Sequence, residues 1–216
     1  MVDRPVARKP AVRGRRKQEH ELTFAERARR EQLIGVTIDL IAENGAARTS
    51  LQNIADAASI TKAAVLYHYA TKSDVIRAAY EDVRNGLVDH VREHVAAAPT
   101  PGAALEAYLT ALIEHLADDP RRIRVMAESF IDPEIGVIEH TETARRWQPL
   151  AELIVRAQAA GEYDEHVDAR AHAIILGGAV DALTAETLAD PDFPIRDAAT
   201  SLLGVLHAFT PASQRR

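Results

Sequence analysis

Apolar residues along this chain recur at spacings of three and four, and Pro, Gly and Asp break the pattern at intervals. No stretch shows the alternation of β-branched residues that marks a strand. A spacing of three and four gathers side chains on one face of a helix, whereas a half-buried strand needs a period of two. The expected fold class is all-α, without internal repeats. With 216 residues, 47% of them apolar, the chain can bury one or two cores without a metal or disulfide staple. Cysteine is absent, which excludes disulfide frameworks, thiol nucleophiles and thiolate zinc sites and suits a reducing compartment. No apolar run approaches the roughly 20 residues needed to cross a bilayer. The N-terminus is basic but lacks the apolar stretch of a secretory signal. A cytoplasmic location without membrane contact is expected.

The net charge of −6 conceals an asymmetry. Residues 1–72 hold 13 Lys and Arg against 8 Asp and Glu, a net of +5, and residues 73–216 hold 13 against 24, a net of −11. A basic head on an acidic body suits a chain whose one end meets a polyanion while the rest is repelled by it. The plainer reading, a basic tail on an ordinary acidic domain, is equally compatible with charge alone.

Helix punctuation divides the chain further. Residues 1–21 are basic and poor in apolar side chains, and read as a disordered arm. Such an arm either follows a DNA backbone or minor groove or is a solvated tail, and in both cases its charge adds salt-dependent affinity for nucleic acid. Thr23 and Glu26 form a capping-box pair at the start of a first helix that carries Leu33, Ile34, Ile38 and Ile41 and stops near Gly45. A short second helix starts at Thr49 or Ser50 and buries Leu51, Ile54, Ala55 and Ala58. A tight turn at Ser59–Ile60 leads to a third, from Thr61 to about Tyr69. Thr71 or Ser73 caps a long fourth helix that ends before Pro99–Gly102. Further helices are expected over about 102–117, from Asp119–Pro120 through Phe130, over 137–160, 167–189 and 195–209, nine in all.

Two short helices joined by a tight turn, with a longer helix behind them, form a helix-turn-helix arrangement over residues 22–72. Leu51, Ile54, Ala55, Ile60 and Val65 brace it. The presented face is Thr61, Lys62, Ala63, Ala64, Tyr67 and His68. The small Ala63 and Ala64 let the backbone approach base edges, and an alanine methyl can meet a thymine methyl. Lys62 can donate to guanine or phosphate, while Tyr67, His68 and Lys72 are spaced as phosphate donors. Ser50 and Gln52, at the start of the second helix, complete the candidate DNA-binding set. For Tyr67 and Tyr69 the competing role is packing between the third and fourth helices.

Residues from about 30 to 78 resemble the DNA-binding domain of the TetR family of bacterial repressors. The residues that carry the likeness are Ser50-Leu51-Gln52-Asn53-Ile54-Ala55 and the run from Ser59-Ile60-Thr61-Lys62 to Tyr67-His68-Tyr69-Ala70-Thr71-Lys72. They parallel an Ile-Ala pair, a Gly-Val-Ser turn, a small residue, an aromatic-rich end of the recognition helix and a closing Ser/Thr-Lys. Two positions depart: Ser59 stands where glycine is usual, and Leu66 where a phosphate-touching tyrosine is usual, with Tyr67 one place later. If Leu66 packs inward, Tyr67, His68 and Lys72 must carry the backbone contacts. The resemblance implies a ligand-responsive transcriptional regulator, a repressor that binds a palindromic operator on double-stranded DNA as a homodimer and is released by a small-molecule effector.

The resemblance also implies that residues 73–216 form an effector-binding and dimerisation domain. Small residues in the last two helices, Gly177, Gly178, Ala179, Ala182, Ala198, Ala199 and Gly204, allow close helix approach and support a homodimer through residues about 167–209; the alternative is that they are the domain's own core. An apolar effector cavity is expected from Tyr108, Leu112, Met126, Phe130, Trp147 and Leu150, with His115, Glu128 or Gln148 as polar anchors, although each could equally be core. The effector itself is not legible. His90 and His94 lie at i, i+4 among acidic neighbours but lack a third recognisable ligand, so no metal and no cofactor is expected.

Rival classes are a helical enzyme and a protein-binding adaptor. No phosphate-cradling glycine loop, nucleophile elbow or carboxylate pair stands on matched elements, and Ser129 with His115 or His140 has no supporting motif. No catalytic residue is therefore assigned. An adaptor using the apolar last helices would not need the Thr61–Lys72 pattern.

Overall fold

The computed structural model describes residues 23–131, 146–190 and 192–209, except for the side chains of 129–131. Among the described residues there are nine helices and no strand. The expected arm at 1–21, residues 137–145 of the expected seventh helix and the His140 candidate lie outside the described residues.

Helix starts follow side-chain caps. The Thr23 hydroxyl accepts from the Glu26 N–H at 3.3 Å while the Glu26 carboxylate accepts from the Thr23 N–H at 2.8 Å, opening α1, Phe24–Asn44. This reciprocal bonding satisfies amides that the helix itself leaves free. Ser50 caps α2, Leu51–Ala57, and Thr61 caps α3, Lys62–His68. Thr71 and Asp74 form a second capping box at the head of α4, Lys72–Ala97. Thr100 caps α5, Pro101–Asp118, whose first residue is a proline that needs no intrahelical N–H partner. The other helices are α6 (Pro120–Ile131), α7 (Gln148–Ala159), α8 (Ala169–Ala189, capped by Asp168) and α9 (Ile195–His207).

The seventh expected helix is corrected at its start. Within the described residues, α7 begins at Gln148 with Trp147 as its cap residue. Pro149 explains the boundary: deep inside a helix it would remove a hydrogen bond and clash with the preceding turn, whereas the first turn tolerates it. Trp147 therefore sits off the helix, its ring against the backbone of Gly177.

Three cores run end to end. Leu33, Ile54, Ala55, Val65, Tyr69 and Val75 hold α1–α3 together. Ile41, Ala46, Ile76, Tyr80, Val83 and Val125 form a junction core between α1, α4 and α6. A larger cluster unites α5, α7, α8 and α9 with Leu87 and Val91 of α4. Because α4 supplies Val75 to the first core, Ile76, Tyr80 and Val83 to the second and Leu87 and Val91 to the third, it is the rod along which all three are threaded.

Beside α8, the Tyr163 hydroxyl and Nδ1 of the buried His172 share a hydrogen bond of 2.7 Å, and Phe209 packs edge-on to the imidazole at 4.2 Å. Burial lowers the His172 pKa and pushes Tyr163 up to about 12, with Asp164 adding to the latter. The C-terminal turn is tied in by the Asp164 N–H, which donates to the Phe209 carbonyl at 3.0 Å.

Candidate nucleic-acid interface

α2 and α3 pack across the turn Ala58–Thr61. Ser59 adopts φ +55° without being glycine, a left-handed conformation that costs an L-residue about 1–2 kcal/mol. The turn recovers stability through the Ile60 N–H, which donates to the Ala55 carbonyl at 2.9 Å. The departure from glycine thus leaves the turn geometry standing.

On α3, Val65 is fully buried and the following Tyr69 is 4% exposed, while Lys62, Ala63, Leu66 and Tyr67 face outward. Ala64 and His68 are half-buried at the edge of this face. Tyr67 is 74% exposed and Leu66 42%. Inward packing of Leu66 is therefore excluded: the outward surface of α3 carries an apolar Ala63–Leu66 strip beside Lys62 and Tyr67. The two tyrosines separate cleanly. Tyr69 is core, stacked under the Arg30 guanidinium at 4.5 Å, and burial pushes its phenol pKa up while Arg30 opposes the shift. Tyr67 stands free of the core, its hydroxyl donating to the exposed Glu26 carboxylate at 3.3 Å.

Bracing comes from α1. Arg30 donates to the His68 carbonyl at 3.1 Å, closing the last turn of α3. At the other corner, Lys72 Nζ donates to the Ala47 carbonyl at 3.1 Å. Exposed Arg48 is the next residue, so two cations share the corner where α2 begins. Sequence reasoning passed over Arg48, although a cation just before the Thr49–Ser50 cap was a visible signal. The Ser50 and Thr61 hydroxyls are engaged as caps, and the Gln52 amide donates to Asp56 at 2.7 Å.

The loop between α1 and α2 is tied to the body from below. Gly45, at φ +82° and ψ 156°, donates its N–H to the Ile41 carbonyl. The Ala46 N–H donates to the Glu128 carboxylate of α6, which Arg124 holds at 3.0 Å. A Cβ at position 45 would lie 3.0 Å from a Glu128 oxygen. Nearby, Arg121 of α6 bridges Asp39 of α1 and Asp119; its hydrogen bond holds Asp119 below the usual carboxylate pKa. Glu128, expected to anchor an effector, is instead a strut between α6 and the helix-turn-helix loop.

The expected cavity set is also redistributed. Tyr108 and Leu112 do line a cavity of about 320 Å³ between α4, α5 and α7, together with Leu87, Val91 and Leu153. Burial raises the Tyr108 pKa, against the pull of the Arg146 charge. The remaining residues go elsewhere. Leu150, at 0% exposure, is solid core. Met126 packs at the junction core, and Trp147 lies on Gly177 under Arg146, which is bidentate to Asp181. Gln148 donates to Glu152 at 3.0 Å. The His115 ring lies 4.9 Å from that of His90, tilted by 41°, and its pKa is lowered by burial and by Arg122 and His90. The Phe130 side chain lies outside the described residues. Facing helices thus bring His115 to the His90–His94 pair, yet no group of three His, Cys, Asp or Glu among the described residues is placed to hold a metal ion.

Residues 33–79 match the family described as bacterial regulatory proteins, tetR family. The HTH-type transcriptional repressor KstR2 of Rhodococcus jostii (strain RHA1) is 25% identical over 131 residues, 61% of this chain and 60% of that one. The HTH-type transcriptional regulator AcrR of Shigella flexneri is 28% identical over 119 residues, 54% of this chain and 55% of that one. The chain thus spans less than two thirds of the length of these relatives. Among solved structures, SmeT, the repressor of the Stenotrophomonas maltophilia multidrug efflux pump SmeDEF, shares the fold with a TM-score of 0.71 at 22% identity, covering 85% of this chain and 91% of that one.

Proposed function

We propose that this chain, a TetR-family regulator by its N-terminal domain, is a ligand-responsive transcriptional repressor that binds a palindromic operator as a homodimer and is released by a small-molecule effector. The observation that carries the reading is the outward face of α3: Lys62, Ala63, Leu66 and Tyr67 stand clear of the core beside a leading end capped by Thr61. In this reading α3 enters the major groove; Lys62 donates to a base edge or phosphate, and Ala63, Ala64 and Leu66 meet thymine methyls. Tyr67, His68, Lys72 and Arg48 fix the register on phosphates, with Ser50 and Gln52 at the backbone-facing end of α2.

The dimer is assigned to α8 and α9. Ile174 and Ile175 are 52% and 58% exposed, Val205 is 48% exposed, and the Cα positions of Gly178 and Gly204 face open space. Ala171, Ile175, Gly178, Ala182, Ala185 and Ala189 repeat at alternating spacings of four and three along the exposed side of α8, the pattern of a helix-pairing seam. A two-fold mate on this face sets two α3 helices at a fixed separation, and half-site spacing follows from it. Effector binding between α4, α5 and α7 shifts α4 and α6, and the Glu128 strut and the junction core pass the shift to α2 and α3. SmeT in its complex with triclosan offers a precedent of the same fold holding a small molecule.

Selection of bound fragments from random duplex DNA with the purified protein tests the reading. A palindrome with half-sites about one helical turn apart, or a multiple of it, supports it; recovery of no enriched sequence at low salt overturns it.

A further inference from the structure

The cavity between α4, α5 and α7 has a buried apolar floor and a charged rim. Leu87, Val91, Leu112 and Leu153 are each 9% exposed or less, whereas Arg92, Glu152 and Arg156 around the same cavity are exposed. The three rim charges are not equivalent. Glu152 accepts from Gln148, and Arg92 pairs with Asp89 at 2.6 Å. Arg156 has no carboxylate within ion-pair distance among the described residues. An arginine fork offers paired donors matched to a carboxylate, and here two forks overhang an apolar slot. Half-buried Tyr108, whose phenol pKa burial raises, belongs to the same lining.

We infer that this cavity takes an amphipathic carboxylate: an aliphatic chain on Leu87, Val91, Leu112 and Leu153, with its head group at Arg156 and Arg92. The inference rests on the regulator reading above and names the class of its effector. The rim sets the preference. A carboxylate meets Arg156 with charge on both partners, an alcohol of equal length accepts from the same cation without a charge of its own, and an ammonium meets two like charges with only Glu152 opposing them.

The test is calorimetric titration of the full chain with hexanoate, octanoate and decanoate, and with octan-1-ol and octylammonium. Affinity should rise about fourfold for each added methylene while the slot has room, and octanoate should bind at least tenfold more tightly than octan-1-ol. Arg156→Gln combined with Arg92→Gln should bring octanoate down to the alcohol's affinity. Val88→Trp, at a 43% exposed wall position, should block all of the ligands, and both variants should keep the parent Tm. Equal affinity for acid and alcohol, preference for the ammonium, or octanoate binding untouched by the double variant overturns the inference. If the protein selects operator DNA but takes up no carboxylate, the inference fails and the regulator reading stands. If it binds carboxylates through Arg156 but enriches no duplex, the regulator reading fails and the site stands.

Discussion

The Gly45–Glu128 contact is a sharp place to measure how the two halves of the molecule are joined. Gly45→Ala imposes two separate costs. The φ +82°, ψ 156° backbone is a region open essentially to glycine alone, worth about 1–3 kcal/mol of strain for alanine. The new Cβ also presses on the Glu128 carboxylate, 3.0 and 3.2 Å from its oxygens, and displaces it from the Ala46 N–H. Losing a hydrogen bond to a charged, partly exposed group costs about 1–2 kcal/mol, which is also the cost expected for Glu128→Ala alone. Gly45→Ala should therefore lower the Tm by about 5–15 °C, at about 2–4 °C per kcal/mol for a chain of this size. In the double variant the second cost is already incurred, so Gly45→Ala/Glu128→Ala should be hardly less stable than Gly45→Ala, a coupling of about 1–2 kcal/mol. Thermal or urea unfolding of the four proteins of the cycle supplies the number, and operator affinity gives a second readout because the same loop seats α2. Costs that simply add, within about 0.5 kcal/mol, would refute the reasoning.

Lys62→Ala and Tyr67→Ala should each weaken operator binding by about 1–3 kcal/mol while shifting stability by no more than about 0.5 kcal/mol, because both side chains are exposed; a gel-shift titration paired with a melting curve checks both halves, and unfolding would return Tyr67 to the core. Ile175→Glu should convert the protein to a well-folded monomer in sedimentation equilibrium, because the side chain is 58% exposed in the isolated chain; an unchanged dimer would move the interface elsewhere. The buried His172 has a pKa below its ordinary value of 6.5, as does His115. The folded state thus binds fewer protons than the unfolded one, so their contribution is complete above about 6.5 and is lost as pH falls from there toward the lowered values. The Tm should drop between pH 7.5 and 5.5, less so in His172→Gln, and a pH-independent Tm would contradict the assigned burial.

Features set by neighbours along the chain were legible beforehand. Thr23–Glu26 and Thr61 open helices where the spacing placed them, and of the paired candidates Thr49 or Ser50 and Thr71 or Ser73 it is Ser50 and Thr71 that cap, because a cap bonds an amide only two or three residues away. Lys62, Ala63 and Tyr67 on the outward face of α3 followed from the same periodicity once Val65 was placed inward, whereas the exposure of Leu66 did not. The cavity was not legible. Apolar residues at helical spacing look alike whether they face a neighbour or a void, and Leu150 and Leu153, one turn apart on α7, fell on opposite sides of that distinction. Trp147 misled because its size suggested a cavity wall, while the nearby Pro149 carried the more useful information about where the helix starts. Glu128 lies 82 residues from Ala46, and His115 meets His90 only across two helices. Such pairings depend on how helices lie together, which no single stretch of sequence specifies.

Since α4 lends side chains to every core, cutting the chain after Lys72 would strip Val75 from beneath Tyr69 and leave Ile41 and Ala46 without a floor. A fragment of that kind should melt far below the intact protein. The helix-turn-helix half has no foundation of its own; it stands on a beam owned jointly with the rest of the molecule, and a tilt of that beam at its far end must be felt at the α3 tip.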